Sequence, residues 1–229
     1  MVDIASGAMV GAEALLRWPH PELGLLTPES FFPEAARAGL AQRLGAWVIN
    51  AALNEAARWQ GDLATLRLSI NLDAEQFRDR ALAEHVIEAL KRSGCDPARL
   101  VLELTETVIS DNLDEAAALM NTLRGHGVRM AIDDFGTGYS SLAYLKALPF
   151  DELKIDRVFV EDLPGDRRDL AMLDAIIAMA KTLNMTVVAE GVEAPEQRDI
   201  LAKCGCDFYQ GYLFSRPVKA EELARLAAR

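Results

Sequence analysis

The chain has 229 residues, of which 51% are hydrophobic and 26% charged, and its formal net charge is −11. That length suits one large domain with a sizeable core, and no apolar run approaches the ~20 residues needed to cross a membrane. The acidic balance disfavours binding to a long polyanion such as DNA or RNA, while a small anionic ligand stays open if a metal ion supplies local positive charge. Met1 is followed by Val2 and Asp3 with no basic or apolar leader, so the expectation is a cytoplasmic chain without membrane contact. The three cysteines, Cys95, Cys204 and Cys206, are too few and too irregularly spaced for a disulfide framework and read as reduced packing thiols.

In chain order, short apolar runs alternate with helical patterns. Val10–Leu16, Leu66–Asn71, Leu100–Thr105, Val128–Asp133, Glu152–Ile155 and Thr186–Ala189 read as buried strands, being short and rich in Val, Ile and Leu. Between and after them, Gly39–Arg58, Arg80–Ser93, Asp111–His126, Arg168–Leu183, Pro195–Cys204 and Ala220–Ala228 carry apolar residues three to four apart, as amphipathic helices do. The alternation implies a parallel α/β sheet in a single domain, residues 1–229. Pattern alone leaves an open doubly wound sheet and a closed barrel both possible.

Parallel α/β folds place chemistry at the carboxyl ends of their strands. Here those ends carry Glu13, Asn71, Glu103 with Glu106 just after, Asp133 and Asp134, Lys154 and Asp156, and Glu190. A single strand-end carboxylate is usually a cap or a solvated terminus. So many together in a low-dielectric mouth are costly without cations. Hard oxygen donors suit Mg²⁺ or Mn²⁺ better than zinc, and two such ions can clamp a phosphodiester.

At these residues the chain resembles the EAL family of cyclic di-GMP phosphodiesterases. The likeness runs in order through Glu13-Ala14-Leu15-Leu16-Arg17-Trp18, Ser69-Ile70-Asn71-Leu72, Glu103-Leu104-Thr105-Glu106, and Asp133-Asp134-Phe135-Gly136-Thr137-Gly138-Tyr139-Ser140-Ser141. It continues through Lys154-Ile155-Asp156 and Glu190-Gly191-Val192-Glu193 to Tyr209-Gln210-Gly211-Tyr212. The resemblance implies a modified TIM-type (β/α)8 barrel with an antiparallel first strand. It also implies metal-dependent hydrolysis of cyclic di-GMP to linear pGpG. Glu13, Asn71, Glu103 and Asp133 match the ligands of one metal, and Asp133 would bridge to a second held with Asp134 and Glu190. The expected cofactor is therefore Mg²⁺ or Mn²⁺, as two ions.

By the same resemblance, Lys154 matches a lysine that contacts the metal's water. Glu190 matches a position that serves either as general base or mainly as a ligand, and the sequence leaves both open. Arg17, Asp156, Glu193 and Gln210 are implied in substrate binding, and Glu106 in anchoring the Asp134–Ser141 loop. Helices beside that loop are expected to form a homodimer. One departure stands out: the chain starts just after the family's Gln-Pro-Ile segment, so the first strand is expected to be largely missing and the barrel edge open. The rival to an active enzyme is a degenerate domain that binds the nucleotide or a partner without turnover. Every matched ligand position is intact, which favours the enzyme.

Overall fold

The computed structural model describes residues 1–109, 113–136, 142–165 and 167–228. Its central element is an eight-stranded sheet built from β1 (Val2–Asp3), β2 (Gly11–Ala14), β5 (Arg67–Leu72), β6 (Leu100–Thr105), β7 (Arg129–Phe135), β8 (Glu152–Ile155), β9 (Thr186–Ala189) and β10 (Phe208–Tyr209). The spatial order is β1-β10-β9-β8-β7-β6-β5-β2. Strand β1 runs antiparallel to β10, and all other neighbours are parallel. A separate hairpin, β3 (Trp18–His20) and β4 (Gly24–Leu26), stands outside this sheet.

The edge expected to be open is occupied. Val2 and Asp3 pair with Tyr209 and Phe208, and Val2 also bridges Met9, just ahead of β2. The Asp3 amide donates to Ala8 O at 2.9 Å, the Val10 amide to Met1 O at 3.0 Å, and the Met1 nitrogen to Gly11 O at 2.9 Å. The first strand is therefore short but present, and its hydrogen bonds join the two sheet edges into a nearly closed barrel. Two residues suffice because successive residues of an extended chain turn their N–H and C=O groups to opposite sides, so even a short strand reaches both neighbours.

Around the barrel lie α1 (Pro28–Arg37), α2 (Ala41–Ala56), α3 (Ala74–Phe77), α4 (Leu82–Ser93), α5 (Leu113–Gly125), α6 (Leu142–Ala147), α7 (Arg167–Thr182), α8 (Pro195–Cys204) and α9 (Leu223–Ala227). Helices α4 and α8 carry clear boundary signals. Pro195 opens α8, where its missing N–H costs nothing, and Gly94 and Gly205 end α4 and α8 in the left-handed conformation. The core lies between helices and barrel. Leu68, Ile70, Leu100, Leu102, Leu104, Leu153 and Val187 are buried there, each worth roughly 1.5–3 kcal/mol on transfer from water.

Alternation along a strand sends successive side chains to opposite faces. In β5, Leu68, Ile70 and Leu72 join the apolar core, so Ser69 and Asn71 face the other way, into the barrel. The register sets Asn71 beside Glu103 and Thr105 beside Asp133. The same parity carries Glu13, Glu103 and Lys154 inward, and the contacts below confirm it.

Candidate active site

Lys154 is the hub of the barrel mouth. Its side chain is 1% exposed, and its Nζ lies 2.7 Å from Glu103 Oε2, 2.7 Å from Glu190 Oε1, 3.0 Å from Asp133 Oδ1 and 3.8 Å from Glu13 Oε2. Burial alone would lower the Lys154 ammonium, but Glu103, Glu190, Glu13 and Asp133 together raise it well above its ordinary value. Lys154 is therefore a fixed positive charge. Glu13 is oriented from both sides: Asn71 Nδ2 donates to its Oε1 at 2.6 Å, and Gln210 Nε2 donates to its Oε2 at 2.6 Å. These contacts tie together the ends of β2, β5, β6, β7, β8, β9 and β10.

Asp133 and Asp134 are consecutive, so a regular strand would turn them to opposite faces. The register between β7 and β8 runs Ile132–Leu153 and then Phe135–Ile155, three steps on one strand against two on the other. One extra residue is thus accommodated as a bulge, and Asp134 takes φ +52° there. The bulge brings both carboxylates to one place: an oxygen of Asp133, of Asp134 and of Glu190 all lie within 4.8 Å of one another. A left-handed backbone at a non-glycine residue is costly, and such strain concentrates at functional sites.

Burial, with Asp133, Asp156 and a hydrogen bond to Asp156 adding to it, pushes the Asp134 carboxyl up to about 6. Burial also pushes Glu190 up to about 7, with Asp133 and Glu13 adding to the rise and Lys154 opposing it. Glu103 is raised well above the usual carboxylate range by complete burial, again against the pull of Lys154. Five carboxylates therefore crowd one ammonium. Glu103 Oε1 is buried with no hydrogen-bond partner among the described residues, an acceptor suited to a cation or donor. Hard oxygen donors, excess negative charge and an orphaned carboxylate oxygen all fit a hard divalent cation.

Of the other expected site residues, Asp156 caps the turn Arg157–Phe159, accepting from the Val158 amide at 2.8 Å, and reaches Asp134. Glu106 Oε1 accepts from the Gly136 amide at 2.8 Å and so ties the start of the loop after β7 to the end of β6. The remainder of that loop, Thr137 to Ser141, lies outside the described residues. Arg17 and Glu193 are not drawn into the carboxylate network. Arg17 donates to its neighbour Leu16 O at 2.7 Å and sits near Glu29. Glu193 is exposed at the start of α8, with its amide donating to Gln197 Oε1 at 2.8 Å. Arg157 and Phe159, which no motif marks as site residues, lie against the loops that carry Glu190 and Asp134. The only signal was local: Asp156 two residues before Val158 is an N-cap pattern.

Compared with known proteins, the chain matches the family described as EAL domain over residues 1–217. It belongs to that family. It is 45% identical over 219 residues to the bifunctional diguanylate cyclase/cyclic di-GMP phosphodiesterase MucR of Pseudomonas aeruginosa, covering 95% of this chain and 32% of that protein. It is 43% identical over 219 residues to the cyclic di-GMP phosphodiesterase NbdA of the same species, covering 95% of this chain and 27% of that protein. The chain thus spans about a third of the length of the curated relatives it matches. Among solved structures, the PaMucR phosphodiesterase in complex with c-di-GMP superposes with a TM-score of 0.91 at 44% identity, covering 97% of this chain and 90% of that one. The barrel of this chain is thus that of an EAL domain.

Proposed function

We propose that this EAL domain hydrolyses cyclic di-GMP to linear pGpG with Mg²⁺ or Mn²⁺, as two ions. The observation that carries this reading is the convergence of Asp133, Asp134 and Glu190 beside a buried Lys154, in a chain whose relatives are named for that activity. In the proposed arrangement Glu13, Asn71, Glu103 and Asp133 hold one cation, and Asp133, Asp134 and Glu190 hold the other. When bound, such a pair clamps the phosphodiester and makes water a nucleophile for in-line attack.

The protein's own groups supply the rest. Glu190, with its carboxyl near 7 before cation binding, sits in the range where a carboxylate accepts a proton at neutral pH. Lys154 offsets part of the carboxylate charge. Asn71 and Gln210 fix both oxygens of Glu13, so its orientation does not have to be found anew in each turnover. Arg17, just beyond β2, is proposed to engage a phosphate, with Asp156 and Glu193 proposed as further substrate contacts. Three unpaired cysteines, Cys95, Cys204 and Cys206, support a reducing compartment such as the cytoplasm. No helix among the described residues is long and apolar enough to cross a membrane.

The test separates turnover from capture. Glu190→Ala leaves the first ligand set and Arg17 in place. It should still bind cyclic di-GMP in a calorimetric titration while hydrolysing it at least ~100-fold more slowly. Parental turnover in this variant would make Glu190 a mere strand-end residue and overturn the mechanism.

A further inference from the structure

The turn Arg157–Phe159 and its capping residue Asp156 meet the segments that carry Asp134 and Glu190 at three points. Asp156, its capping residue, reaches Asp134 directly. Phe159 lies edge-on against Gly136, two residues after Asp134. A Cβ placed on that glycine would sit 2.6 Å from Phe159 Cε2 and 2.7 Å from Cζ. Arg157 lies against Gly191, the residue after Glu190, where a Cβ would sit 2.4 Å from Arg157 Cβ. Both glycines have positive φ, +98° at Gly136 and +67° at Gly191, so each loop turns sharply where it meets the turn. The turn is thus wedged between the strand ends that deliver Asp134 and Glu190. Val160 at its end is fully buried, and Phe159 packs on the apolar core, which gives the wedge a rigid base.

We propose that Phe159 is a positioning residue for the Asp133–Asp134–Glu190 cation site. Its ring backs Gly136 and so helps hold the bulge in which Asp134 turns toward Asp133 and Glu190. The proposal rests on the reading of those three carboxylates as a cation site. Of the other cation's ligands, Glu13, Asn71 and Glu103 are placed by β2, β5 and β6 and by contacts with Gln210 and Lys154, and the shared Asp133 is held separately by Lys154; none of these contacts involves this ring. A change at Phe159 should therefore act on one cation and spare the other. Simple loss of folding would weaken both.

Mn²⁺ titration followed by electron paramagnetic resonance on the purified protein reads the two equivalents separately from turnover. For Phe159→Ala we expect one equivalent weakened at least ~10-fold, the range typical of losing an outer-shell support, with the other retained. The kcat should fall while KM stays close to the parent's. Phe159→Leu, which keeps most of the volume, should recover a large part of the lost affinity. A folded Phe159→Leu and Phe159→Ala pair that both bind two Mn²⁺ as the parent does overturns the proposal. If alanine prevents folding, Phe159→Val, which removes the ring and most of its reach but keeps an apolar side chain, takes its place: a selective loss supports the role, and parental titration or an equal loss at both sites overturns it. A parental protein that takes up no Mn²⁺ overturns the cation reading itself, and this proposal falls with it.

Discussion

At the scale of single residues, the site is an electrostatic problem with one built-in cation. Lys154 touches Glu103, Asp133 and Glu190 within 3.0 Å, yet Glu190 and Asp134 still hold their protons up to about 7 and about 6. Both folded values lie above the ordinary ones of 4.5 and 3.8. In chelator the folded state therefore binds more protons than the unfolded chain across the window from those ordinary values to about 7. Stability must then fall as pH rises through that window. A divalent cation competes with the same protons, so its affinity should rise over the window and level off above about 7. Thermal melts at pH 5, 6, 7 and 8, with chelator or with Mn²⁺, check both signs. A metal-free melting temperature that climbs with pH would contradict the assignment. The acidic residues themselves were legible in the sequence, since each falls at a strand end. Their grouping is implied by the ordered motifs, which also include Arg17 and Glu193, and these two stand apart from the network.

At the scale of elements, the bulge in β7 matters most. Glu106 holds it from the β6 side through the Gly136 amide, and the turn Arg157–Phe159 backs it from β8. Glu106→Ala should lower kcat about 10-fold or more through weaker cation binding. Glu106→Gln keeps an acceptor oxygen for Gly136 and should retain most of the activity. Equal activity in both variants at every point of a Mn²⁺ titration, sub-saturating concentrations included, would show that Glu106 is not an anchor. Strands β2, β5, β6, β7, β8 and β9 were readable because buried parallel strands appear as Val/Ile/Leu runs. Strands β1 and β10 have two residues each, too few to show any period. The hairpin β3–β4 contains Pro19 and exposes Leu25, so neither propensity nor burial marked it. The bulge was invisible because one inserted residue changes register without changing composition.

At the scale of the whole molecule, β1 joins the two sheet edges. It shows why the expected open edge does not arise: a two-residue strand hydrogen-bonded on both sides is enough. The alternation of strands and helices gave the fold class, and the ordered motifs gave the barrel. We further propose that the domain pairs through helices beside the loop after β7, which would couple dimer geometry to the bulge and hence to cation affinity. Light scattering over a concentration series, with specific activity measured on dilution, tests this. Dimer at high concentration and activity falling on dilution are expected. A monomer throughout, with constant specific activity, would take dimerisation out of the mechanism.

The central claim is metal-dependent hydrolysis of a cyclic dinucleotide at the Lys154-centred carboxylate cluster. The most direct measurement incubates the purified domain with cyclic di-GMP and Mg²⁺ or Mn²⁺ and resolves the products by chromatography, with parallel reactions in excess chelator and in Ca²⁺. The account predicts conversion to linear pGpG with either ion, none in chelator, and inhibition by Ca²⁺, whose larger radius and looser coordination misplace the groups it binds. Undiminished conversion in chelator, or binding with no conversion under any ion, would contradict it.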